Sequence, residues 1–328
     1  MIFPGARTDE QLAIAESVAA FCAAQRRRAG VSYGVLPYGP ELWAGLADLG
    51  ILGHGASEEG TVRDLVVAAH ALAAGGVVAP LPEAFAASRL LGADLGERLA
   101  AGGLVVAFAG EGALRWGSLA DAVLGFEPGG GAWLAGVEDG SAGGARALAG
   151  DGSAPDPAGP GAGVIPFGVP RLAVREPLGP AGAARAVGLA AFAATLCGLG
   201  AQVVRDTAAY VRERRQFGRP IGSFQAVGHP LAECHARVSA ALDLALSVAL
   251  RIDRADAEEH PAIERLAESS VLAARRAALR ATYAAQQALG GMGYVIEGPM
   301  GVLPMVVREL SVGEVARVSV QQQQEVSR

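Results

Sequence analysis

Two short stretches of this 328-residue chain gather residue types that hold anionic ligands. One is Arg214-Arg215-Gln216-Phe217-Gly218, with Gln225 soon after it. A guanidinium is a planar fork that matches phosphate oxygens, and a glutamine amide adds a neutral donor. The other is Gln286-Gln287-Ala288-Leu289-Gly290-Gly291-Met292-Gly293-Tyr294, where Gly290-Gly291 lets backbone approach a ligand with no Cβ in the way. Each also has a plain structural reading. Arg212, Arg214 and Arg215 around Glu213 suit a solvated helix end, and a glycine pair is an ordinary helix stop. No Gly-x-Gly-x-x-Gly follows a strand, which argues against a nicotinamide-nucleotide fold. The histidines His54, His70, His229, His235 and His260 lack metal-ligand spacing, so no metal site is expected. Cys22, Cys197 and Cys234 form no Cys-x-x-Cys pair and read as reduced thiols. Cys234 and His235 adjoin on one helix and point apart. Asp64, Asp121 and Asp139 have no partner close in sequence and read as solvated surface positions.

The net charge of −6 and the pI near 5.5 argue against a nucleic-acid partner. Every basic residue is arginine. The start, Met1-Ile2-Phe3-Pro4-Gly5-Ala6-Arg7, lacks the charged-then-apolar order of a signal peptide, and a cytoplasmic location is expected. The most apolar run, residues 186–204, is about the length of a membrane span. Because it carries Thr195, Gln202 and several glycines, a buried bundle helix is the better reading.

These residues must be held by helices on both sides of a strand-rich middle. Thr8-Asp9-Glu10-Gln11 is a capping box, followed by Leu12, Ile14, Val18, Phe21 and Cys22 at helical spacing up to Arg26-Arg27-Arg28. Further helices are expected over 40–49, with Gly50 as the stop, over 62–74, and from about Pro82. From Gly103 the runs 104–108, 122–126 and 132–137 have strand length, and residues 127–163 are rich in Gly, Pro, Ser and Asp. After Pro180 three long helices are expected, over 181–214, 224–254 and 261–289. Pro230 should kink or restart the second.

Three blocks resemble the acyl-CoA dehydrogenase family: Tyr210 through Ile221 with Phe224-Gln225; Gln286 through Tyr294 with Glu297 and Pro299; and, more weakly, Glu41-Leu42-Trp43, Leu49-Gly50-Ile51-Leu52-Gly53 and Glu58-Glu59-Gly60. The resemblance implies a mostly α fold with a small, β-barrel-like middle domain: a helical N-domain (1–102), a β middle domain (103–178) and a C-terminal four-helix bundle (179–328). It implies FAD as cofactor, an acyl-CoA substrate, and electron-transfer flavoprotein or another acceptor as partner. A homo- or hetero-tetramer is implied as well. By the same resemblance Arg214, Gln216, Phe217, Gln225, Gln287, Gly290 and Gly291 would serve the ADP end of a flavin bound mainly by a neighbouring subunit.

The family pattern is incomplete at the flavin-ring end. Counting forward from Glu297 without a gap puts Glu314 at the position of the catalytic base. Its context, Val312-Gly313-Glu314-Val315-Ala316, lacks the family's Gly-Thr, and Met305-Val306 replaces the usual Arg-Asp; Glu309 is the near competitor. Some relatives place the base on the first bundle helix, but the matching position is Gly188 and no carboxylate is near it. Phe108-Ala109-Gly110-Glu111-Gly112 lacks the family's Thr and Ser, and Trp116 and Trp133 lack hydroxyl neighbours and read as core aromatics. The chain therefore reads as half a flavin site, completed by a partner chain. The alternatives are a non-catalytic subunit of the same fold and a diverged flavoenzyme acting on a non-CoA substrate.

Overall fold

Capping chemistry sets where the first helices begin. In the computed structural model, which describes residues 7–36, 38–54, 60–110, 113–127, 130–138 and 165–312, Thr8 opens α1 (Asp9–Ala29). Its hydroxyl accepts from the Gln11 backbone N–H at 3.2 Å, and Gln11 Oε1 accepts from the Thr8 N–H at 3.2 Å. α2 (Pro40–Asp48) starts on proline and is followed by Gly50 at φ 74°. α3 (Val62–Ala74) has a second reciprocal box, Thr61 with Asp64. Two shorter helices follow, α4 (Leu81–Ala87) and α5 (Ala93–Ala100).

Asp64 corrects the expectation of a solvated position. It is buried, and its carboxylate accepts from Gln11 Nε2 at 3.0 Å and meets His54 Nε2 at 3.3 Å. Its partners come from two other segments, so no local spacing could show them. Asp121 is exposed as expected, and Asp139 lies outside the described residues.

The middle region carries β1 (Val106–Phe108), β2 (Leu114–Arg115), β3 (Ala122–Phe126), β4 (Gly131–Gly136), β5 (Phe167–Gly168) and β6 (Glu176–Pro180). Four of these form a sheet in the order β1-β3-β4-β6, with β1 parallel to β3 and the other neighbours antiparallel. β2 pairs with β5 separately. Gly125 faces Trp133 across β3 and β4, and a Cβ at Gly125 would fall 2.1 Å from the indole. The ring therefore lies across bare backbone, which only glycine permits. Residues 139–164, most of the expected loop, lie outside the described residues.

Long helices then take over: α6 (Ala184–Glu213), α7 (Gln225–Ile252), α8 (His260–Leu289) and the shorter α9 (Leu303–Val312). By length and hydropathy α6 could cross a membrane, but 94% of its most apolar window is buried inside this fold. Gly198 lets α6 close on α3, because a Cβ there would meet His70 O at 2.4 Å. α7 is one helix through Pro230, so of the expected kink or restart there is no restart. The proline sits near the helix start, and the carbonyl it fails to bond belongs to exposed Ala226, where water can satisfy it. One hydrophobic cluster runs from α1 through the sheet to α9, while Leu114, Val123, Trp133 and Ala135 form a smaller one.

Candidate functional site

The end of α6 is shaped by a two-residue hairpin. Arg214 leaves the helix at φ −66°, ψ 120°, its N–H still bonded to Tyr210 O at 2.9 Å. β7 (Arg215–Gln216) then pairs with β8 (Arg219–Pro220) around Phe217 at φ 51° and Gly218 at φ 80°. Two consecutive positive φ values make the type I′ geometry that matches strand twist. The hairpin engages two of its arginines. Arg215 donates to Gly218 O at 3.1 Å, and Arg219 lies 4.0 Å over the Phe224 ring. Phe217 meets the same ring edge-on at 6.2 Å yet is 91% exposed. The side chains of Arg214, Gln216 and Gln225 are exposed and make no hydrogen bond or ion pair among the described residues.

The end of α8 faces the same way. Short connections make α6, α7 and α8 alternate in direction, so α6 and α8 run parallel. Arg185, near the start of α6, pairs with Glu264 and Glu268 near the start of α8, and Gly200 touches Ala278 midway. The hairpin and the Gln287–Gly291 segment therefore share one end of the bundle. Buried Gln286 donates to Gly293 O at 3.3 Å and fixes the turn, leaving neighbouring Gln287 exposed with a free amide. Gly290 sits at φ 59°, and open space surrounds both it and Gly291. A guanidinium, three amides and two bare glycines, all without partners, suit a polyanionic ligand with a planar ring for Phe217 to cover.

Two carboxylates lie elsewhere. Glu309 on α9 is half-buried with Oε2 unpartnered. Burial pushes its carboxyl up, opposed by a hydrogen bond from the Ile165 backbone. Glu83 on α4 is 1% exposed, and burial raises its pKa to about 7 against the pull of Arg115. Arg115 lies 4.7 Å over the Phe192 ring, one turn beyond Gly188 on α6. Gly188 itself is pressed by α4 and β1: a Cβ there would meet the Phe108 ring at 2.9 Å and Pro82 O at 3.1 Å.

Against known proteins, residues 186–316 match the acyl-CoA dehydrogenase C-terminal domain. That part of the chain is similar to the acyl-CoA dehydrogenase family. It is 33% identical over 107 residues to the mitochondrial 2-methylacyl-CoA dehydrogenase of Solanum tuberosum, covering 33% of this chain and 24% of that one. It is 35% identical over 94 residues to the mitochondrial isovaleryl-CoA dehydrogenase of Oryza sativa subsp. japonica, covering 29% and 22%. The matches thus span about a quarter of those relatives' length. Among solved structures, butyryl-CoA dehydrogenase from Megasphaera elsdenii superposes with a TM-score of 0.74 at 19% identity over 100% of both chains. The ChsE4-ChsE5 complex from Mycobacterium tuberculosis gives 0.70 at 19% identity, over 99% of this chain and 98% of that one. Identity at that level speaks for the acyl-CoA dehydrogenase fold.

Within that fold the expected cofactor residues gather at one end, whereas Glu314 lies outside the described residues. Trp116 and Trp133 are buried, as core aromatics should be. A buried carboxylate, Glu83, lies on α4, which meets α6 at Gly188 through Pro82 and Ala86. The sequence held a signal for it, since Glu83 is the only charge in the apolar run 77–87. Arg115 gave none, because nothing local in the sequence marks it as buried.

Proposed function

We propose that this chain is a subunit of an FAD-dependent dehydrogenase that forms the α,β double bond of an acyl-CoA thioester, with each flavin site completed by a partner chain. The observation that carries this is the set of groups without partners among the described residues at the shared end of α6 and α8, in a chain of this fold. Arg214 takes phosphate oxygens through its fork, Gln216, Gln225 and Gln287 donate amide N–H groups, and Gly290-Gly291 offers backbone at close range. Phe217 supplies a ring face. FAD, when bound, supplies the hydride acceptor. Glu314 is the carboxylate assigned to take the α-proton, with Glu309 its competitor on α9. The units act as residues 1–102, 103–178 and 179–328 in a cytoplasmic tetramer that passes electrons to electron-transfer flavoprotein or a similar acceptor.

The test is to express the chain alone and with a dehydrogenase homologue from a neighbouring gene, then read flavin absorbance of each product. A colourless lone chain and a yellow, active complex are expected. Stoichiometric flavin and activity from the lone chain would overturn the shared site. In the complex, Arg214→Ala with Gln287→Ala should weaken flavin retention by about ten- to a hundredfold, the loss expected for charge-assisted hydrogen bonds. Unchanged flavin and activity would favour the non-catalytic subunit instead.

A further inference from the structure

The cofactor end of the bundle leaves two buried charges unused. Glu83 on α4 is 1% exposed; Arg115 on β2 is 9% exposed, lies 4.7 Å over the Phe192 ring of α6 and is the charge that acts on Glu83. Glu83 Oε2 and Arg115 Nε have no hydrogen-bond partner among the described residues. Each shifts the other's titration, yet no ion-pair contact closes between them. Two buried charges left in that state cost more than an apolar pair of the same volume. The backbone beside Arg115 carries strain as well. Trp116 is held at φ 64° although it is not glycine, fixed by its N–H to Pro166 O at 2.6 Å and by its ring against Tyr38 at 5.1 Å.

We propose that Glu83 and Arg115 form the polar end of a ligand-binding position at the seam of α4, β2 and α6, which takes a hydroxyl carried on an apolar chain. Where Glu83 is ionised the two charges cancel, so the group between them is neutral. It must also accept from Nε–H and donate to Oε2, and a hydroxyl does both with one atom. The surrounding side chains are apolar: Phe85 and Phe192 are fully buried, and half-buried Phe108 lies over Gly188 and meets Phe126 at a tilt, 5.9 Å between centroids. For a CoA-borne chain this rests on the function proposed above, and it makes the substrate a hydroxylated acyl group. For a free alcohol it stands alone.

The experiment compares the full chain, in its soluble complex, with a Glu83→Leu, Arg115→Met double variant. Calorimetry measures binding of butyryl-CoA and 4-hydroxybutyryl-CoA, and thermal shift measures 1-hexanol. The natural chain should bind the hydroxylated thioester at least about tenfold more tightly, because a site built for a hydroxyl rejects the analogue lacking it. The double variant should bind both thioesters alike and melt no lower than the natural chain. Equal affinities in the natural chain would overturn the site while leaving the acyl-CoA reading intact. A double variant that melts well below the natural chain would make the pair a structural fastening and overturn it too. If neither thioester binds, the acyl-CoA reading fails, and 1-hexanol decides. Stabilisation of the natural chain alone supports the site, whereas equal response means that a buried water bridges the pair.

Discussion

Phe217 is held at φ 51° at the tip of a hairpin, with 91% of its surface exposed. A left-handed aromatic costs of order 1 kcal/mol that asparagine there would largely avoid. Phe217→Asn, giving the preferred Asn-Gly turn, is expected to stabilise the chain by about 0.5–1 kcal/mol in urea unfolding while weakening flavin retention in the complex. Equal flavin retention would leave the ring without a role at the cofactor end. Glu83 makes a second case. Its folded pKa, about 7, lies above the ordinary 4.5. The folded state therefore resists ionisation, and stability falls as pH rises from 4.5 to about 7. Glu83→Gln should flatten that slope, seen in urea midpoints across the same range. His54 behaves in the opposite way to a buried neutral group. Its hydrogen bond to Asp64 raises its pKa, so its contribution is full below about pH 6.5 and is lost as pH rises through the raised value. Asp64 is raised by burial but lowered more by His54, Thr61 and Gln11, so its contribution is lost only below the ordinary carboxylate range. The destabilisation caused by His54→Gln should be about 0.5–1 kcal/mol at pH 6 and shrink by pH 9.

At the scale of elements, α6 depends on its glycines. Gly198→Ala would drive a Cβ to 2.4 Å from His70 O, on the backbone of α3. An overpacking loss of about 1–3 kcal/mol is expected in urea unfolding, against a slight gain if the helix were free. The helices were largely legible because each carries its own start signal or stripe: Thr8 with Gln11, Gly50, and the Leu231–Leu250 stripe of α7. β1, β3 and β4 were legible as apolar runs between turns. β6 was not, for Glu176-Pro177-Leu178-Gly179-Pro180 has two prolines and little β-branching, and its place is set by β4. At the site, the shared end of α6 and α8 could be anticipated from short connections and the paired motifs. The Glu83–Arg115 seam could not, because it joins α4, β2 and α6, which only tertiary packing brings together.

The whole molecule presents exposed apolar side chains beside the cofactor end. Tyr294 is 71% exposed, with Met292, Val295 and Ile296 around it. If this face is covered in the proposed tetramer, Ile296→Asp should yield smaller species in sedimentation without lowering the melting temperature. A tetramer that survives the charge would place the subunit contact elsewhere. The fold also ties its two ends together. The Asp253 carboxylate, just past α7, accepts from Val62 N–H at 2.7 Å and Arg63 N–H at 3.2 Å, the opening turn of α3. α3 is sealed against α6 as well. During synthesis α3 therefore emerges with its Thr61–Asp64 box but without the acceptor for its first two N–H groups and without its cover, and both arrive only after Asp253 has left the ribosome. The nascent amino-terminal segment must wait, exposed to chaperones and proteases, for a residue made much later.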